Sequence, residues 1–341
     1  PGALQPAPIR GEDGRRMQAW VVRELAGLAA LRLEEVPPPP APGAAQATLD
    51  VLAVGLNFPD LLMLSGGYQF RPELPFTPGM EAVGRVVAVG EGVAADLLGA
   101  RMLLGARSGL LASRVTLPLA ALRPAPDALD DLEAAAFSVG ALTAHVALVE
   151  RGRLQAGEHL LVLGAGGGMG LAAVAMGKAL GATVTAAASS DDKLALARRA
   201  GADALVRLDR TAPDLAGLKG QVDLLFDPVG GALVAPALAT LRWGGRYLVA
   251  GFAGGMPAPL PLNRLLLKGV ELIGVRAGEA GRQDPAAGRR HLHAIDALAA
   301  EGRLQPLVGL VVPFEDAPKA FAAMAEGRLA GKAVIRVTEP G

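Results

Sequence analysis

Cysteine is absent from the 341 residues. That excludes disulfides, thiol nucleophiles, thiolate zinc sites and iron–sulfur clusters together. Histidine is nearly as scarce, with four residues, His145, His159, His291 and His293, so a histidine-rich metal centre is not expected. His291 and His293 are two apart, which on a helix points them in different directions, and they read as solvated. His145, on an apolar helix, reads as a satisfied core histidine. Neither sign of charge dominates. Lys+Arg and Asp+Glu number 33 each, so no global field exists to hold nucleic acid or an anionic membrane. A membrane-spanning run is lacking too. Residues 160–177 carry no charge, but six of them are glycine, which suits a strand, a turn and a helix start rather than a spanning helix. Residues 1–16 contain Pro, Gly and charge without an apolar h-region, and read as a loose extension rather than a secretory signal. A soluble, cytoplasmic protein is expected.

What is present is apolar: 51% of residues are hydrophobic, ample for a core, and the length favours two domains. From Met17 to about Asp127 short apolar runs are cut by turns, as at residues 47–54, 82–89 and 110–117, with Pro37 to Pro40 as a stiff connector. That pattern predicts a mostly β unit. From Asp130 strands and helices alternate. A helix from Asp130 or Asp131 through Leu148 precedes a strand at 159–163, a helix at 170–180, a strand at 183–188 and a helix at 191–200. Further strands are expected at 223–226, 247–250 and 271–275, which makes a doubly wound parallel sheet. A helix at 288–301, a strand at 308–312, a helix at 315–327 and a strand at 333–337 follow. Periodicity leaves open whether these extend the parallel sheet or return to the first unit.

The chemistry centres on His159-Leu-Leu-Val-Leu-Gly-Ala-Gly-Gly-Gly-Met-Gly170. A buried strand runs into a glycine turn and then a helix, whose first backbone amides can hold a pyrophosphate. Met169 breaks the strict G-x-G-x-x-G spacing, and Gly164, Gly167 and Gly170 fit a G-x-x-G-x-x-G variant. NAD sites place an acid at the end of the second strand for the ribose 2′-hydroxyl. Here Ala188 is followed by Ser189-Ser-Asp-Asp-Lys193, where small hydroxyls and a lysine suit a 2′-phosphate. NADPH is therefore the expected cofactor, with Asp191 and Asp192 read as helix-capping.

At this point the chain, from Met17 to Val337, resembles the zinc-free quinone oxidoreductase (zeta-crystallin-like) branch of the medium-chain dehydrogenase/reductase superfamily. The marks are Val54-Gly-Leu-Asn-Phe-Pro-Asp60, Gly66-Gly-Tyr68, Pro75-Phe-Thr-Pro-Gly-Met-Glu-Ala-Val-Gly84, Leu142-Thr-Ala144 and the glycine turn, followed by Ser189-Ser-Asp-Asp-Lys193, Asp227-Pro-Val-Gly-Gly231 and Gly331-Lys-Ala-Val334. The resemblance implies a GroES-like catalytic domain over 1–127 and 277–341, a Rossmann domain over 128–276, and a homodimer joined through the last strand of the nucleotide sheet. Zinc-dependent relatives carry Gly-His-Glu where this chain has Gly79-Met80-Glu81. With no cysteine present, zinc chemistry is not expected.

By the same resemblance, Tyr68 and Asn57 belong to the catalytic end of the cleft, with Tyr68 donating to an enolate or hydroquinone oxygen. Thr143 lies near the nicotinamide. Gly164, Gly167, Gly168, Met169 and Gly170 surround the pyrophosphate, and Ser189, Ser190, Lys193 and Arg207 the 2′-phosphate end. Val249, Gly251 and Phe252 face the nicotinamide ribose, Val229 is a further cofactor contact, and Lys332 makes a phosphate or cleft contact. Glu81 reads as a buried structural partner. Leu62 and Leu208 stand where many relatives have tyrosine. The expected activity is hydride transfer from NADPH to a quinone, the partner being a small-molecule quinone or conjugated carbonyl. The alternatives are an enone or enoyl-thioester reductase and a redox-inert NADPH-binding protein.

Overall fold

The computed structural model describes residues 17–209, 212–260 and 262–338, so the extension read at 1–16 lies outside the described residues. The first unit is built on β1 (Gln18–Val22), β2 (Leu31–Glu35), β3 (Gln46–Gly55), α1 (Phe58–Met63), β4 (Glu81–Val89), β5 (Arg101–Gly105), β6 (Arg114–Pro118) and β7 (Leu122–Pro124). β1 and β2 form an antiparallel ribbon. α1 starts sharply because Asn57 caps it in a box with Asp60, with a proline in the first turn, which satisfies amides that a helix leaves without partners. The strand expected at 110–117 begins only at Arg114: Leu110 and Leu111 are fully buried in a loop that follows Gly109 at φ 108°.

The second unit runs through α2 (Asp131–Ala135), α3 (Ser138–His145), β8 (His159–Leu163), α4 (Gly168–Ala179), β9 (Thr183–Ala188), α5 (Asp191–Arg199), β10 (Ala204–Arg207), β11 (Val222–Asp227), α6 (Val234–Thr240), β12 (Leu241–Val249), α7 (Asn263–Lys268) and β13 (Glu271–Gly274). Its six strands lie in the order β10-β9-β8-β11-β12-β13, every neighbouring pair parallel. β8 buries Leu160 through Leu163 completely, because helices cover both faces of a parallel sheet and its strands are continuously apolar. The single helix expected from Asp130 to Leu148 is three pieces. Asp130 and Glu133 form a capping box on α2, the chain breaks at Phe137, and after α3 the turns widen into a π-helix over Val146–Arg151. Phe137 is buried at that break, so tertiary packing overrides the uninterrupted local helix signal.

After α8 (Ala277–Gln283) and α9 (Pro285–Ala300) come β14 (Val308–Pro313), α10 (Ala317–Ala325) and β15 (Lys332–Arg336). These strands return to the first unit. β15 pairs antiparallel with β3, placing Val334 opposite Gly55, and completes a seven-stranded mixed sheet of order β14-β15-β3-β4-β5-β7, with β6 also on β3. Ala53, Val83, Leu103 and Val334 of this sheet share one buried cluster with Phe137, Leu160 and Val162 of the other unit. The two sheets therefore share an apolar core where they meet. His291 on α9 is a correction to the sequence reading. It is not solvated: its Nδ1 lies 3.0 Å from Nδ1 of His145, and its Nε2 lies 2.5 Å from a carboxylate oxygen of Glu150.

Candidate active site

The parallel order places β8 and β11 side by side while their crossovers leave in opposite directions, and ligands of open α/β sheets bind at the carboxyl ends of strands flanking such a point. The glycine turn leaves β8 there. Gly164 holds φ +60°, and a side chain on it would press against Val229. A Cβ on Gly170 would come within 2.3 Å of the Gly164 carbonyl oxygen, so only glycine lets α4 start this close to the strand. Gly167 caps α4, which begins at Gly168, two residues before the expected start. No side chain caps its first amides, which lie at the positive end of a 12-residue helix.

The other expected cofactor residues stand along the same edge. Ser189 and Ser190 follow β9 and Arg207 ends β10, while Val229 follows β11 and Val249 ends β12, ahead of Gly251 and Phe252. The Asp227 carboxylate holds the β11 turn in shape. One oxygen accepts from the amides of Val229 and Gly230 at 2.7 and 2.9 Å, and the other from the buried Tyr247 hydroxyl at 2.6 Å. Burial beside that carboxylate drives the Tyr247 pKa upward, so it stays a neutral donor. Lys193 and Arg207 have protein partners: the Lys193 ammonium donates to the Gly327 carbonyl at 2.6 Å, and Arg207 pairs with Asp191 at 2.5 Å.

Opposite α4, the first unit contributes a buried polar network. Lys332 Nζ donates to Glu81 Oε1 at 2.5 Å and to Asn57 Oδ1 at 2.6 Å. Asn57 Nδ2 donates to the same Glu81 oxygen at 3.0 Å, and Glu81 Oε2 accepts the Val139 amide at the start of α3 at 2.7 Å. Asn57, Glu81 and Lys332 are all buried. The stem of Lys332 lies on Gly168, and Gly331 donates its amide to the Gly166 carbonyl at 2.8 Å. The network thus joins β4, the start of α1, β15 and α3 directly beside the glycine turn. The resemblance implied a phosphate or cleft contact for Lys332; its ammonium lies between Glu81 and Asn57.

Asp60 escaped the sequence reading as a site residue. It is fully buried, accepting the Asn57 amide at 2.9 Å and the Gly79 amide at 3.0 Å. Burial pushes its carboxyl up to about 7, against the pull of those two amides and of Lys332. The N-x-x-D capping spacing was the signal that could have found it. The Lys332–Glu81 pairing had none, because 251 positions separate its members. Thr143 donates its hydroxyl to the Val139 carbonyl at 2.7 Å, four residues back on α3. Tyr68 sits half-buried on the turn after α1, against the core of the first unit. Among the described residues no group of three His, Asp or Glu side chains is arranged to hold a metal, and no helix is long and apolar enough to cross a membrane.

Two family profiles match. One described as alcohol dehydrogenase GroES-like domain covers residues 43–127, and one described as zinc-binding dehydrogenase covers residues 168–291. Quinone oxidoreductase-like protein 2 of Bos taurus is 37% identical over 328 residues, spanning 94% of this chain and 93% of its own. The synaptic vesicle membrane protein VAT-1 homolog of Homo sapiens is 32% identical, over 94% of this chain and 86% of its own. Among solved structures, the quinone oxidoreductase of Thermus thermophilus, determined also as its complex with NADPH, superposes with a TM-score of 0.82 at 37% identity, covering 94% of this chain and 100% of the other. The zinc of the second profile's description does not fit here: zinc is held by thiolate, imidazole or carboxylate, Met80 offers only a neutral thioether, and the chain has no cysteine.

Proposed function

The chain belongs to the quinone oxidoreductase branch of the medium-chain dehydrogenase/reductase superfamily, and on that premise we propose that it reduces a quinone with NADPH, without a metal. The glycine turn packed against the Lys332–Glu81–Asn57 network carries this reading, because the opening of α4 suits a dinucleotide and the buried ion pair of the first unit stands directly beside it. NADPH supplies the hydride, and with one proton from solvent the quinone becomes a hydroquinone. The residues of this chain have separate tasks. The α4 amides, opened by Gly164, Gly167, Gly168, Met169 and Gly170, hold the pyrophosphate. Ser189, Ser190, Lys193 and Arg207 take the 2′-phosphate, the two cations exchanging Gly327 and Asp191 for it. β9 itself ends without an acid, and Asp191, three residues on, is paired with Arg207. Val229, Val249, Gly251, Phe252 and Thr143 border the nicotinamide end. Glu81 pairs with Lys332, Asn57 bonds to both, and Tyr68 donates its hydroxyl hydrogen to the oxygen that gains charge.

The catalytic unit of this reading is 1–127 with 277–341, and the nucleotide unit 128–276. We propose a homodimer as well, since β13 is an edge strand with Leu272 half-exposed, while Trp243 and Leu266 nearby in the chain are 75% and 78% exposed. A monomer by sedimentation velocity overturns it. The activity is tested by NADPH oxidation with an ortho-quinone, with NADH in parallel. NADPH-selective turnover is expected. Turnover of enoyl thioesters alone overturns the acceptor, and cofactor binding with no turnover on either class overturns the enzyme.

A further inference from the structure

On the rim of the catalytic unit an arginine is held in place without an acidic partner. Arg107 lies in the loop after β5, exposed to solvent, with its guanidinium carbon 3.7 Å from the centre of the Phe70 ring. Among the described residues no carboxylate lies within ion-pair distance of it. A contiguous path ties it to the buried network. Glu81 follows Met80 in the chain, the Met80 carbonyl accepts the Ala106 amide at 3.0 Å, and Arg107 follows Ala106. On its other side Arg107 covers Phe70, two residues beyond Tyr68. Tyr68, Phe70, Met80 and Ala106 are all half-buried against the same core. Phe70 and its stacked guanidinium thus form a small apolar ledge over the core that Tyr68, Met80 and Ala106 also cover. Two more charges belong to the same turn, the exposed Arg71, which adds to the positive potential, and the exposed Glu73, which pairs with neither arginine.

We infer that Arg107 determines acceptor specificity by binding an anionic substituent, a carboxylate or sulfonate, carried by an aromatic acceptor that lies on this ledge. Stacking on Phe70 restrains the side chain and leaves its N–H fork free along the edge, the geometry that matches a carboxylate in two parallel bonds. A flexible, ion-paired surface arginine offers neither property.

The inference rests on the quinone-reductase reading, and two measurements separate the failure of one from the failure of the other. The first compares phenanthrenequinone with its monocarboxylate as acceptors of the full chain, for wild type, Arg107→Met and Arg107→Lys. The ratio of kcat/KM, carboxylate over neutral, is expected to fall at least tenfold in Arg107→Met, chiefly through KM. Arg107→Lys should retain part of it as a point charge without the fork. An unchanged ratio overturns the assignment. The second measures calorimetric binding of phenanthrene carboxylate, which cannot be reduced. Loss of tenfold or more in affinity in Arg107→Met supports the anion site even if neither quinone is turned over, whereas equal binding by wild type and variant overturns it.

Discussion

Glu81→Gln isolates the energetics of the buried network. The Lys332 and Glu81 side chains are 7% and 2% exposed, with Nζ and Oε1 2.5 Å apart. Glutamine preserves the volume but removes the charge, and it must turn either its amide nitrogen toward Lys332 and Asn57, donors facing donors, or that nitrogen toward the Val139 amide. Lys332 then loses its hydrogen-bonded counter-ion while its stem stays pinned on Gly168. Removing one member of a buried ion pair costs about 3–5 kcal/mol, whereas removing both costs far less, because no uncompensated charge remains. Urea unfolding reads this out through the fluorescence of Trp20, which is buried and bonded to the Phe314 carbonyl at 2.8 Å. Glu81→Gln should lose about 3–5 kcal/mol, and Lys332→Met added to it should recover roughly 2 kcal/mol or more. A loss under about 1 kcal/mol, or single-variant costs that simply add, refutes the claim that the pair is buried and coupled.

Three further outcomes are expected. Lys193→Ala should weaken NADPH binding by roughly tenfold or more, the worth of a charge-assisted bond, while leaving NADH within about twofold; equal losses for both remove Lys193 from the 2′-phosphate. Tyr68→Phe should lower kcat with little change in the dissociation constant of NADPH, and an unchanged kcat takes the hydroxyl out of the mechanism. For Asp60 the folded carboxyl sits near 7 against an ordinary 3.8, so between those values the folded state holds a proton that the unfolded chain releases. Stability is then greatest at the acid end of that window and declines as pH rises through about 7, by something on the order of 4 kcal/mol in total. Urea midpoints at about pH 5 and about pH 8 should show the decline in wild type and a much flatter response in Asp60→Asn; identical responses contradict the shift.

Much of the second unit was legible because its signals are local. Strand 183–188 coincides with β9, and helices 170–180 and 191–200 fall within two residues of α4 and α5. Parallel strands buried on both faces leave uninterrupted apolar runs, and glycines mark the turns between them. Local signals failed where packing outweighed propensity, as at Phe137, or where a buried loop carried the hydrophobicity of a strand, as at Leu110 and Leu111. His291 was misread because helix spacing describes its own helix and not the residues of α3 and the π-helix that come against it.

The succession of β8, α4, β9 and α5, the glycine turn, the lack of an acid at the end of β9 and the exclusion of thiolate chemistry were readable from the residues alone. Each of these depends on residue identity or on spacings of a few positions. Only the tertiary structure decided that β14 and β15 close onto β3, that Lys332 turns its ammonium to Glu81 and Asn57, that Asp60 is buried enough to hold a proton near neutrality, and that Arg107 stands over Phe70. Those depend on charges and rings brought together from distant parts of the chain. Their energies follow from distance and burial, and neither quantity exists until the two sheets have packed.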